Sequence, residues 1–240
     1  VNMNPDGLGL VLIYPYYTAN DGNSTILSVV NTTDNAKAIK VRFLEGFNSR
    51  EVLDFNLYMS AYDVWVASIE AGGTDPEGNS VPKLVVPDTS CTVPYLYLNE
   101  NHEQPFLEYA YSGNFGDAGP GAGMGRAFEG HFEMIEMGTV IEDSDSEEYI
   151  THVGGVPGDC DALVLAWTQL NDLDPDTRGY WLMNPTTDMT DPSGGLFGGA
   201  AIIDVGQGTM YSYDARAING FAANLDANDL LHTEPGFTTP

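Results

Sequence analysis

Acidic side chains are the residues of this sequence with the most chemistry open to them. The segment NDLDPD places Asp172, Asp174 and Asp176 at alternating positions, and EDSDSEE carries Asp143 and Asp145 in a run of like charge. Asp21 with Asn23 forms a smaller group. Calcium takes six to eight oxygen ligands from Asp, Glu, Asn and backbone carbonyls, and it suits flexible loops. Asp172, Asp174, Asp176, Asp143 and Asp145 are therefore the candidate calcium ligands. None of these runs completes the DxDxDG loop with its distal Glu, and Pro175 limits how the first can wrap, so a solvated turn is the competing reading.

No reaction centre emerges from the other residues. His102, His131, His152 and His232 lack the HExxH spacing that sets two imidazoles on one helix face. The GxSxG elbow and the SxxK motif are absent, which leaves acyl transfer without a nucleophile signature. GAGMGRA at 121–127 follows neither the P-loop nor the dinucleotide fingerprint and reads as loop. A pair of carboxylates ~5 to 9 Å apart can hydrolyse a glycoside. With 35 acidic residues such a pair arises from abundance alone, and the chain is read as a non-enzyme.

The same abundance restricts partners. Against 35 acids stand 8 bases, a formal charge of -27, which opposes binding to nucleic acid or to an anionic membrane surface. Residues 1–83 hold 10 acids and 5 bases, so residues 84–240, with 25 and 3, carry most of the excess. Bound divalent cations or a saline medium would offset that repulsion. No apolar run approaches the ~20 residues of a transmembrane helix. Val1, with no signal-peptide pattern behind it, is what an exported protein shows after cleavage, so an extracellular, cell-surface location is expected. Cys91 and Cys160 are too few for a zinc site and are read as one disulfide in preference to two free thiols.

The elements that must carry these groups are mostly strands. Ile39, Val41 and Phe43 alternate with Lys40 and Arg42, and Leu53, Phe55 and Leu57 with Asp54 and Asn56, the period of two that sets one face on a core and the other in water. A β-branched run at 25–32 precedes them, and turn residues at 20–23 and 34–35 suggest tight hairpins. Pro15 makes the run at 8–17 an edge strand or a bulged one. Residues 62–69, 81–86, 93–98 and 128–140 are further strands, the last long and central; 196–213 reads as two strands joined at 206–208. Asp159 caps a helix over about 160–171, and 214–223 suggests a short helix. The expectation is a mainly β protein: one antiparallel β-sandwich unit over 1–240, immunoglobulin-like or jelly-roll-like. An irregular glycine-rich loop lies at about 99–126 and a short α-helical insertion at about 142–195.

The stretches NPDGLGLVLIYPYYT, STILSVVNTTDNAKAIKVRFLEG and NSREVLDFNLYMSAYDVW, with the later EGHFEMIEMG, VPGDCDAL and GGLFGGAAIIDV, resemble exported surface-layer-like proteins of marine gammaproteobacteria, the Alteromonadales. The resemblance implies a lattice over the outer membrane, built from copies of the chain, and a natural chain longer than this one. Lipopolysaccharide or surface glycan is the further partner it suggests. It carries over no functional residue. A secreted calcium-dependent glycan-binding or adhesion module, using Tyr16, Tyr17, Trp65 and Trp181, is the alternative.

Overall fold

The computed structural model of the chain describes residues 1–75, 78–94, 96, 102–108, 123–170, 177–220 and 232–236. Two antiparallel sheets face each other across one core, so the protein is a β-sandwich with short helices inserted. The first sheet runs β1 (Asn2–Met3), β16 (Arg216–Asn219), β2 (Val11–Thr18), β10 (Glu129–Val140), β4 (Lys37–Glu45), β5 (Glu51–Met59) and β8 (Cys91–Val93). An eighth strand, β13 (Met189–Thr190), also pairs with β10. The second sheet has six strands: β15 (Thr209–Asp214), β14 (Leu196–Asp204), β3 (Asn23–Asn31), β6 (Val64–Thr74), β7 (Ser80–Val85) and β9 (Glu103–Pro105). The insertion holds a ribbon of β11 (His152–Val153) with β12 (Val156–Pro157), and helices α1 (Asp145–Ile150), α2 (Cys160–Ala166) and α3 (Tyr180–Met183).

The alternating residues meet between the sheets as their period requires. Ile39, Val41 and Phe43 from β4, with Phe132 and Met134 from β10, face Leu27 and Val29 from β3 and Trp65 from β6. Each large side chain buried this way contributes ~1.5–3 kcal/mol. Phe132 stacks on Tyr14 at 4.1 Å between centroids and on Phe43 at 5.1 Å. Tyr14 Oη donates to the Ser28 carbonyl at 2.8 Å, joining the two sheets through the core. Gly198 has to be glycine, because a Cβ there would collide with the Tyr14 hydroxyl.

The hairpins expected at 20–23 and 34–35 are instead corners between sheets. β2 belongs to the eight-stranded sheet, β3 to the six-stranded and β4 to the eight-stranded again. Asp21 (φ 53°) and Gly22 (φ 83°) do adopt the positive φ of a tight turn. The ladder stops there because the Thr25 hydroxyl takes its place, accepting from Thr18 N at 3.0 Å and donating to Thr18 O at 2.9 Å. The second corner is tied by Asn31, whose buried amide donates to the Asn35 and Ser60 carbonyls at 2.7 and 2.8 Å.

Pro15 sits in a bulge: Tyr14 and Tyr17 of β2 face Phe132 and Gly130 of β10, so Pro15 and Tyr16 together oppose His131 alone. β2 is nonetheless interior, flanked by β16 and β10. The helix expected over 214–223 is absent from its described part, since Arg216–Asn219 is the strand β16, recruited by pairing with β2 and β1. Asp159 caps α2 as expected, accepting from Ala162 N at 3.0 Å, but the helix ends at Ala166. The acidic run at 142–148, expected as a solvated loop, opens α1. Ser144 accepts from Glu147 N, the S-x-x-E capping pattern, and carboxylates in a first turn suit the helix dipole.

Cys91 and Cys160 form a disulfide that fastens α2 to β8, with Cα atoms 5.2 Å apart. The insertion packs on the outer face of the eight-stranded sheet through a second core that includes Ala38, Tyr58, Met137, Ile150, Leu163, Trp167 and Trp181.

Candidate interaction surface

Much of the outer face of the eight-stranded sheet is covered, so Lys40 does not meet water as expected, while Arg42 keeps partial exposure. Lys40 is only 5% exposed. Beyond the insertion, the segment 232–236 lies across it as a strap. The Thr233 carbonyl accepts from Asn56 Nδ2 at 2.8 Å, the Glu234 carbonyl from Lys40 Nζ at 2.9 Å, and Gly236 N donates to Asp54 at 2.8 Å. At its head His232 sits edge-on to Trp181, Trp167 and Tyr58, with centroids 4.7, 4.9 and 6.0 Å away. Burial pushes its imidazole down to about 4, and desolvation lowers Lys40 to about 8.

Buried ion pairs consume much of the scarce positive charge. Lys37 Nζ lies 2.8 Å from Glu136, both fully buried, and Ser193 and Thr139 complete the hydrogen bonds of this pair. Arg126 grips Glu45 with two bonds of 2.8 and 2.9 Å, and the same carboxylate accepts the amides of Phe47, Asn48 and Arg50, which shapes the β4–β5 turn. Arg42 pairs with Glu51 and Glu133, and Lys83 with Glu103. Most of the acidic excess is left with no basic partner to neutralise it.

The outer face of the six-stranded sheet is the opposite case. Register places Val30 beside Val64 and Phe197, Ser28 beside Val66 and Gly199, and Ile26 beside Ser68 and Ala201. None of these nine residues is charged. Ile26, Val64, Val66 and Phe197 are 37 to 47% exposed, with Gly7 beside the Phe197 ring, and none of them belongs to the second core under the insertion. Charge borders it closely: the Asp88 carboxylate accepts from Val66 N at 3.3 Å and Glu70 from the Ser68 hydroxyl at 2.6 Å, with Lys83 opposite Glu70 and Asp214 on the β15 side. Beside Phe197 a groove of about 420 Å³ opens between the N-terminal segment and β16, lined by Asp6, Asp214 and Arg216 among others.

The candidate ligands are not drawn together. Asp172, Asp174 and Asp176 lie outside the described residues. Asp143 takes a left-handed conformation (φ 60°) and Asp145 is the first residue of α1. Among the described residues no three His, Cys, Asp or Glu side chains converge as a metal site would require. Of the aromatics considered for glycan stacking, Tyr17, Trp65 and Trp181 are fully buried and Tyr16 alone is exposed, at 41%. Their hydrophobic area is used in the two cores. His152 approaches Ser60 Oγ at 2.7 Å and Asp63 at 3.6 Å, but through the same nitrogen, Nδ1, which is not the relay a serine nucleophile needs.

Comparison with protein-family models, curated proteins and solved structures found no match. The uncharged face was legible in part: β3 reads STILSVVN and β14 LFGGAAII, apolar at both parities, which a strand with one wet face does not need.

Proposed function

We propose that the protein is a structural module of an extracellular array, assembling with copies of itself through the outer face of the six-stranded sheet, with divalent cations bridging its acidic surfaces. The observation that carries this reading is the half-exposed patch of nine uncharged residues across β3, β6 and β14, with Asp88 and Glu70 at its rim, in a chain of net charge -27. Most faces of such a molecule repel an identical neighbour. This one does not, and covering it removes β-branched and aromatic surface from water. A second copy is thus the occupant best matched to it. The disulfide agrees with an oxidising, extracellular compartment, and the resemblance to surface-layer-like proteins points the same way.

Sedimentation velocity over a range of concentrations in calcium-containing buffer tests the reading. Wild type is expected to associate with increasing concentration, and Val66→Glu, which adds a carboxylate to the middle row of the patch beside Asp88, to lower the mean mass. Unchanged association in Val66→Glu would move assembly to another surface.

A further inference from the structure

A single self-complementary contact closes into a dimer and goes no further, whereas two different ones on the same subunit propagate an open chain. The uncharged face is also modest in extent: three strands ~4.8 Å apart and five residues at ~3.3 Å each span roughly 240 Å² per copy. That is below the ~800 Å² per partner of a standard interface. An array of the proposed kind needs a second contact.

We infer that this second contact is the free edge of β15, which pairs antiparallel with β15 of another copy and joins two six-stranded sheets into one. The inference rests on the self-assembly reading but on a different surface. Three of the four sheet ends are blunted among the described residues. β1 has two residues; β8 has three and runs into Pro94; β9 has three, ends in Pro105 and carries Glu103. Short strands, proline and charge are the usual protections of an edge. β15 has six residues and no proline, its one charge, Asp214, stands at its last position, and its register with β14 is unbroken over six pairs. Nothing described pairs with its other side.

The ladder also fixes which groups are free. Ala215 N donates to Gly198 O at 2.9 Å, so the odd-numbered positions of β15 bond inward to β14. The alternation of antiparallel pairs then turns the N–H and C=O of Met210, Ser212 and Asp214 outward. A two-fold axis through Ser212 sets Met210 opposite the neighbour's Asp214 and Tyr211 opposite its Tyr213. It keeps the two Asp214 carboxylates apart, whereas centring on residue 214 would oppose them directly.

Two variants test this. Ser212→Pro deletes one outward N–H while leaving every bond to β14 in place. Ser212→Cys sets two thiols at the axis, where Cα atoms of a hydrogen-bonded pair lie ~5.5 Å apart, within reach of a disulfide. Both native cysteines are already bridged. Wild type is expected to form open polymers, Ser212→Pro to stop at dimers held by the sheet face, Val66→Glu to stop at dimers held by the edge, and the double variant to be monomeric. Ser212→Cys should oxidise to a covalent dimer at least ten times faster than Gln207→Cys in the neighbouring turn. If Ser212→Pro polymerises like wild type and Ser212→Cys cross-links no faster than the control, the edge contact is wrong while assembly through the face stands. If Ser212→Pro falls to dimers and Val66→Glu changes nothing, the edge stands and the face does not. Monomeric wild type at every concentration overturns both.

Discussion

Lowering the pH from 6.5 to 4 should weaken the hold of the C-terminal strap on the eight-stranded sheet, and His232 is the group that couples the two. Its Nδ1 lies 2.7 Å from the Pro185 carbonyl, which can only accept, so the neutral ring carries its proton there. Nε2 therefore accepts from the Tyr58 hydroxyl at 3.1 Å, and that hydroxyl accepts from Trp167 Nε1 at 2.7 Å. A second proton on the ring leaves the Tyr58 O–H without its acceptor and places a cation in an aromatic box, near the Lys40 ammonium. Burial is the largest cause of the lowered pKa, and Lys40 lowers it further against the Pro185 bond. With about 4 in the docked state against 6.5 in the undocked, the undocked strap binds the extra proton across that interval and the docked strap does not. Docking is thus strongest above pH 6.5, weakens as pH falls, and levels off below 4. At ~1.36 kcal/mol per pKa unit the loss is about 3 kcal/mol, roughly two orders of magnitude in the docking equilibrium. Trp167 and Trp181 flank the imidazole, so tryptophan fluorescence against pH reads the release. His232→Phe keeps an aromatic in the box without the titration. Carboxylates titrate in both proteins, so the difference between them isolates the histidine. Superimposable pH profiles, or a His232 pKa near 6.5 measured by NMR in the folded protein, would refute the reasoning.

Replacing both Cys91 and Cys160 by Ala should cost up to ~4 kcal/mol for a 69-residue loop, seen as a lower thermal midpoint; intact mass after alkylation under denaturing conditions, with and without reductant, checks that the bridge exists. Arg126→Ala strands the buried Glu45 carboxylate and should cost ~3–5 kcal/mol in urea unfolding, whereas Lys83→Ala, which breaks a pair nearer solvent, should cost under ~1 kcal/mol. Gly130→Ala would drive a Cβ into the Leu44 carbonyl and the Tyr17 ring, and should destabilise by ~1–3 kcal/mol. Chelating calcium should dissolve assemblies, and sodium chloride at matched ionic strength should not restore them. Light scattering decides this, and persistence in chelator would rule out cation bridges.

Local chemistry was enough to place most of the strands, because the period of two in β4 and β5 reports a buried face whatever lies opposite. Local chemistry also marked Pro15 as an edge or a bulge, of which the bulge is found, and located the Asp159 cap, since a missing N–H and a well-placed carboxylate act within a few residues of themselves. The glycine-rich 99–126 stretch and the NDLDPD acids gave no such handle, and most of the former and all of the latter fall outside the described residues. Partition between the sheets was not legible, because a hairpin and a corner use the same positive-φ residues at 21 and 22. The Thr18–Thr25 hydroxyl bonds that separate them appear only when both strands are in place. Nor does alternation say what lies above a polar face. Lys40 and Arg42 look solvated in sequence, yet Lys40 is covered by a strap 194 residues further along. Ile26 and Val66 are apolar and yet stay 45 and 37% exposed. Burial is a property of what another part of the chain does, and strand periodicity records only that two faces differ.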